Sequence, residues 1–485
     1  MQPSVDFHAL APELILSGTI LTVIVVDLFV SRERKWVAMP LSLVGVIAAL
    51  VATLTLIGTD RSVFDGTFVV GSFAVLFKVF FLVVAIAVLL VSFRYFRDGP
   101  FYQGEYYTLL LSSFLGCLFM ASSRDLLMLF LSIELVSAPG FLIAALRKSD
   151  PRSNEAGLKF FLIGVLSSAV MLYGMSLVYG ITGTTKLSGI ADRLAGPVGD
   201  QAVALAAILF VVTGFAFKVS SVPFHFWAPD TYEGAPVPVA AFLSVASKAA
   251  GFAGLLQLMF IAFIHQAPLW TPIFAALSIA TMTIGNLVAL QQRQAVRLLA
   301  YSSIAQAGYM LLPFALVTTD AAVNRAAFSA AVLYILIYGV MNLGAFAVVI
   351  AMVKEAPGML ISDFAGLIRR SPGLAIAMTT FLVSLAGIPP TAGFWAKFFV
   401  FIAAINRGGI GPFLAAVMVV NSVVSVAYYF AIVKQMIFAE GEERAVAVPI
   451  LVRGVVLVSA VMVLAIGVFP PLFARFPPIS TLVGR

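Results

Sequence analysis

The chain has 485 residues, of which 62% are hydrophobic and only 11% charged; a soluble domain carries about 25% charged residues, so the composition excludes a soluble protein and predicts an all-α polytopic membrane protein. A single cysteine, Cys117, excludes a disulfide framework and a cysteine-ligated zinc or iron–sulfur site, and three scattered histidines, His8, His225 and His265, argue against a haem or metal cluster. The formal charge of +7 comes without a basic run long enough for nucleic acid, so the basic residues are read as topological.

In chain order, apolar segments of about 20 residues, each enough to cross a bilayer as a helix, fall at 11–30, 37–57, 71–93, 106–121, 126–146, 158–180, 203–227, 238–264, 270–289, 298–317, 326–352, 373–403, 411–437 and 449–470. The first lacks a basic leader and a small-residue cleavage site, and Glu13 and Asp27 flank it. It is read as a retained span, not a signal peptide. The loops between the fourteen segments are short. Counting from an outer N-terminus, one set of loops, with the span ends that border it, holds 17 of the 29 Lys and Arg residues and the other set holds 8. The positive-inside rule puts the richer set in the cytoplasm and both termini in the periplasm. The remaining four are lysines within spans: Lys78, Lys218, Lys248 and Lys397.

Two spans are interrupted, the seventh at Pro223 in VPFHFW (222–227) and the twelfth at Pro389–Pro390 in IPPTAGFW (388–395). Proline removes a backbone donor and clashes with the preceding turn. Inside a bilayer the freed backbone is tolerated where it faces protein or a water-filled cavity. Each break falls in the fourth span of a five-span set, spans 4–8 and spans 9–13. Five is odd, so successive sets run in opposite orientations. Broken helices at matching positions of inverted repeats point to a transport site near mid-membrane. The expected layout is three N-terminal helices in 1–104, one five-helix repeat in 105–265, its inverted copy in 266–438 and a last helix in 439–485.

Charge within the spans is sparse. Glu134 lies near the middle of span 5 in SIELVSAPG, Lys218 five residues before Pro223, Lys248 in span 8, and Lys397 just past the second break. A charge at a helix centre costs about 2.5–3.5 kcal/mol on insertion scales, and such residues are functional by default. Burial disfavours the charged form of a lone group, whereas a buried pair keeps both partners charged. Glu134 and Lys218, both at mid-depth, make such a pair, and drawing them apart would release the lysine's proton. The competing reading is a structural ion pair or a snorkelling lysine. That reading is preferred for Lys78, near the outer end of span 3, from which a lysine can reach the interface. His225, of a residue type that titrates near neutrality, is either a relay between Lys218 and Lys248 or a partner for the freed carbonyls. Tyr301, Ser302, Ser303 and Gln306 of span 10 stand where Glu134 stands in the first repeat. They cannot form an ion pair, but they can hold water, and Lys397 is expected to be held mostly by water and by polar groups such as Ser302 and Gln306. Asp230 and Glu233 either feed the site or cap helix N-termini, with capping preferred. No P-loop or dinucleotide fingerprint follows a strand. A proton channel of this kind is then a gradient-driven exchanger or an arm of a larger machine.

These residues carry a resemblance. LSIELVSAPGFLIAALRKSDPRSNEAGLKFFLIG (131–164), FKVSSVPFHFWAPDTYEGAPVPV (217–239) and SLAGIPPTAGFWAKF (384–398) resemble the antiporter-like membrane subunits of respiratory complex I, most closely the subunit N type of bacterial NADH–quinone oxidoreductase. The resemblance runs the length of the chain. It implies fourteen helices, two inverted five-helix repeats and broken seventh and twelfth helices. It makes Glu134 the helix-5 glutamate, Lys218 the helix-7 lysine, Lys248 the connecting helix-8 lysine and Lys397 the helix-12 lysine. Lysine at the last position fits the N and L types rather than M, and the short tail after the last span argues against L. The implied function is proton translocation in the bacterial inner membrane, driven by quinone reduction elsewhere. FMN, iron–sulfur clusters and the quinone would then belong to partner subunits, with no cofactor in this chain and neighbouring membrane-arm subunits as partners. The alternatives are a subunit of a multi-subunit sodium/proton antiporter and a structural scaffold with vestigial charges.

Overall fold

The structure is a computed structural model that describes residues 6–99, 101–196, 200–356, 358–441 and 444–470. The expected C-terminal region, 439–485, therefore reaches beyond the described residues, as do both termini, whose side of the membrane was expected to be periplasmic. The helices are α1 (Ala11–Phe29), α2 (Ala38–Leu54), α3 (Ser72–Arg97), α4 (Gln103–Ser122), α5 (Leu126–Ala144), α6 (Pro151–Thr182), α7 (Leu187–Leu194), α8 (Gln201–Lys218), α9 (Trp227–Gly234), α10 (Val237–Phe242), α11 (Lys248–Gln257), α12 (Ala267–Ala289), α13 (Ala295–Leu311), α14 (Ala321–Met352), α15 (Leu367–Arg370), α16 (Pro372–Ala386), α17 (Ala392–Arg407), α18 (Gly411–Phe438) and α19 (Ile450–Val468). Among the described residues, 13 helical stretches are long and apolar enough to cross a membrane. The shorter α16, with α17 beyond the break, covers the remaining expected segment.

Side chains at the helix starts explain several boundaries. Asp125, Asp150, Asp200, Gln294 and Asp320 each accept a backbone N–H of the first turn they precede, satisfying donors that have no partner within the helix. The short α7 lies between spans 6 and 7.

A two-stranded hairpin interrupts the helical order. β1 (Arg61–Val63) pairs antiparallel with β2 (Phe68–Val70), Arg61 opposite Val70 and Val63 opposite Phe68. Alternation explains it: Val63, Phe68 and Val70 point into a cluster with Ala9, Leu10, Leu56 and Val75, as a half-buried strand requires.

Two compact units divide the chain. Of the described residues, the first holds those up to Val219 together with Ala246–Trp270; the second holds Ser220–Val245 and those from Thr271 on. The divisions fall at the break after α8 and inside a π-helical turn, Leu243–Ser247. Within the first unit α4 packs on α5, α6 on α8, and α11 against α4, α5 and α8. Gly116 permits the first of these contacts: a Cβ there would lie 2.7 Å from the Val136 backbone nitrogen, the close approach that small residues allow between membrane helices. Within the second unit α14 packs against α16, α17 and α19, and α13 against α9.

Candidate functional site

In the first unit α5 carries Glu134 and, one turn on, Ser137. Pro139 inside the same helix cannot donate to the carbonyl four residues back, so one hydrogen bond of the helix is missing here. Lys218 closes α8 and is 2% exposed. Its Nζ donates to Ser137 Oγ at 2.9 Å, while Glu134 Oε1 accepts from Ser168 Oγ of α6 at 2.5 Å. The direct Glu134–Lys218 pair expected from the sequence is therefore corrected. Residues three apart share a helix face, and Ser137, not Glu134, is level with the end of α8. Glu134 still acts on Lys218 electrostatically at longer range.

Lys248 opens α11 directly after the π-helical turn Leu243–Ser247, and a second such turn, Leu258–Ala262, follows α11. Isolated π turns in membrane and soluble helices frequently mark functional sites. Lys248 is buried. One turn beyond it, a Cβ on Gly251 would lie 3.0 Å from Lys218 Cγ, so the stem of Lys218 runs across α11 at a position that has no side chain. The unit thus brings Glu134, Ser137 and Lys218 together and lays Lys218 on the helix that carries Lys248.

The second unit holds the segment following α8. Ser220 has a left-handed φ of +60° and Val222–Pro223 is cis. Thr281 of α12 serves this irregular backbone: its Oγ1 accepts from Val222 N at 3.0 Å and bonds Ser221 Oγ at 2.9 Å, as non-helical backbone at membrane depth requires. His225 is buried, its ring 4.5 Å from that of Phe226. Asp230 and Glu233 of α9 both accept from Arg297 Nη1 of α13, each at 2.8 Å. Their expected capping role is corrected: neither α9 nor α10 has a side-chain cap. The charge of a guanidinium facing both carboxylates outweighs the partial charge of a helix end.

The second break is built around Lys397 of α17. α16 ends at Gly387, φ +89°, and Pro389–Pro390 is cis. Lys397 Nζ donates to the Ala386 carbonyl and to Ser422 Oγ of α18, both at 2.8 Å, and lies 4.8 Å from the centroid of the Tyr309 ring. Polar groups hold this lysine as expected, but they are not Ser302 and Gln306. Ser302 bonds the Tyr429 hydroxyl, and Gln306 bonds the Leu385 carbonyl and the hydroxyls of Tyr429 and Tyr334. The break frees adjacent carbonyls: Gln306 takes that of Leu385 and Lys397 that of Ala386.

Lys78 does not reach an interface. It is 0% exposed, bonded to Glu13 at 2.6 Å, with its ammonium 4.8 Å from the centroid of the Phe68 ring. The lysine stays inside because a carboxylate on α1 offers a counter-charge that the sequence showed only as a flanking acid.

Several partners escaped the sequence reading. Ser137 had a signal, helical spacing from Glu134, and Tyr309 had one, since it follows Gln306 by three residues. Ser422, Thr281 and Glu13 had none, because each meets its partner from a helix distant in sequence. Among the described residues no cluster of three or more His, Cys, Asp or Glu could hold a metal ion.

Comparison with known proteins covers almost the whole chain. Residues 123–425 match the family described as NADH:quinone oxidoreductase/Mrp antiporter, TM. NADH-quinone oxidoreductase subunit N of Trichlorobacter lovleyi is 40% identical over 479 residues, 98% of this chain and 96% of that one. A chain of respiratory complex I from Thermus thermophilus superposes with TM-score 0.79 at 30% identity, covering 95% of this chain and 98% of its own length. A chain of the Mrp complex from Dietzia sp. superposes with TM-score 0.84 at 20% identity, covering 99% and 98%; it shares the fold. Identity at this level from end to end, with the broken helices in place, means that the chain belongs to the subunit N family of NADH-quinone oxidoreductase.

Proposed function

We propose that this chain is the proton-translocating membrane subunit N of a bacterial NADH–quinone oxidoreductase, with quinone reduction in partner subunits driving protons through it. The partners are the other membrane-arm subunits of complex I, and the redox centres and quinone site lie outside this chain. It resides in the inner membrane with both termini periplasmic, a reading supported by the 17-to-8 division of Lys and Arg between the two sets of loops. Residues 105–265 and 266–438 form inverted repeats. The similar breaks, each at proline with a buried lysine nearby, support that reading.

The titratable line is Glu134, Lys218, Lys248 and Lys397, with His225 as a relay. The observation that carries the proposal is Lys218: a lysine at a helix end inside the membrane region, 2% exposed and hydrogen-bonded to a neutral serine hydroxyl. Ser137 can accept from an ammonium and donate to a neutral amine, so it tolerates both protonation states without rebuilding. Glu134 supplies a charge at longer range whose approach or withdrawal biases the lysine between them. Lys397 has the corresponding arrangement in the second unit, with a carbonyl and a hydroxyl as its partners.

The experiment is Lys218→Ala and Lys218→Arg in membranes containing the assembled complex. Alanine should leave subunit content intact and strongly lower coupled quinone reduction and proton pumping. Arginine should not restore them fully, because it does not release its proton. Normal pumping by the alanine variant at normal content would end the proposal. Co-purification with flavin- and iron–sulfur-bearing subunits separates it from the sodium/proton antiporter reading, which the shared fold alone supports.

A further inference from the structure

Lys397 is a buried cation whose hydrogen-bond partners are neutral, and the second unit supplies an aromatic face beside it. The Tyr309 ring is itself fully buried, with the Lys397 ammonium 4.8 Å from its centroid. The ring is held in place. Its hydroxyl accepts from Asn286 Nδ2 at 3.0 Å, and Asn286 in turn accepts from the Tyr428 hydroxyl at 2.9 Å and donates to the Asn421 carbonyl at 3.1 Å. The Tyr334 ring stacks near it, centroids 6.3 Å apart, and is fixed by its own hydroxyl on Gln306. The lysine is steered too. Its stem passes Gly387, where a Cβ would lie 2.7 Å from Lys397 Cδ.

We propose that the face of Tyr309 stands in for a counter-charge at Lys397 and is a positioning residue for proton transfer there. This rests on the reading of Lys397 as a proton site. The physics is selective. A ring quadrupole attracts the ammonium and has little hold on the neutral amine, and the attraction is strongest where water does not compete. An aromatic face therefore favours the protonated lysine, as a carboxylate would. Unlike a carboxylate, it carries no net charge and leaves no buried anion behind when the proton moves on. In the first unit Lys218 has Glu134 within electrostatic reach. The two lysines would thus hold their charge by different means, an anion for one and an aromatic face for the other.

The test uses the assembled complex in membranes, with phenylalanine and a series of increasingly fluorinated phenylalanines placed at Tyr309. Fluorine drains the face of the ring while nearly preserving its shape, so a packing role would not respond to it. Tyr309→Phe keeps the aromatic face but loses the hydroxyl that Asn286 bonds, so it, and not the wild type, is the reference for the series. Pumping should then fall stepwise with each added fluorine at constant subunit content, and Tyr309→Leu should lie at least about fivefold below Tyr309→Phe. Equal pumping across the fluorinated series, with Lys397→Ala impaired, would overturn the role of Tyr309 while leaving Lys397 a proton site. Normal pumping by Lys397→Ala would overturn both.

Discussion

The Glu13–Lys78 pair permits a prediction whose size and sign are both fixed. The two groups touch at 2.6 Å with side chains 2% and 0% exposed, so substituting either one strands the other. Breaking such a pair costs about 3–5 kcal/mol. Glu13→Leu and Lys78→Leu should therefore each destabilise by about 3–5 kcal/mol. The double variant should be near neutral or better, since hydrophobic replacement of a whole buried pair often is. The assay is thermal stability of the solubilised complex and subunit content of membranes. A double variant as unstable as the worse single one would refute the reasoning.

Three further outcomes are expected. Glu134→Gln, which keeps an acceptor for Ser168 but removes the charge felt by Lys218, should impair proton pumping, whereas Glu134→Asp should retain much of it; equal defects would mean that geometry matters more than charge. Gly387→Ala meets a φ of +89° and a Cβ 2.7 Å from Lys397 Cδ; left-handed backbone alone costs about 1–2 kcal/mol, and displacement of the lysine should lower pumping, so an alanine variant with unchanged thermal stability and pumping would count against this placement. On the hairpin side, the Arg61 hydrogen bond holds the Asp6 carboxyl below the usual carboxylate range, and the Lys186 hydrogen bond does the same for Asp65. Groups lowered in the folded state stabilise it above their ordinary pKa, about 3.9, and lose that contribution as pH falls through the lowered value. Hydrogen exchange of amides in 61–70 should therefore stay slow, after correction for intrinsic rates, down to about pH 4 and gain openings only below it.

The membrane class, the apolar segments and both breaks were legible in the sequence, because each rests on local physics. About twenty apolar residues must span as a helix, since lipid offers the backbone no other partner. Proline removes a backbone hydrogen bond from such a helix, and Pro223 and Pro389–Pro390 stand where helices end. The buried charges were legible for the same reason: Lys218, Lys248 and Lys397 stood out against their apolar surroundings, and all three are buried. What each charge touches was decided by tertiary structure. Lys218 meets Ser137 rather than Glu134 because of where α8 ends against α5, and Lys78 turns inward because α1 brings Glu13 beside α3. Lys397 takes a carbonyl, a hydroxyl and an aromatic face because α16, α18 and α13 converge on it, while Ser302 and Gln306 are drawn to Tyr429. A sequence announces a charge that must be compensated. The compensating atom lies on another helix, and its position follows from register and packing between segments that no local pattern encodes.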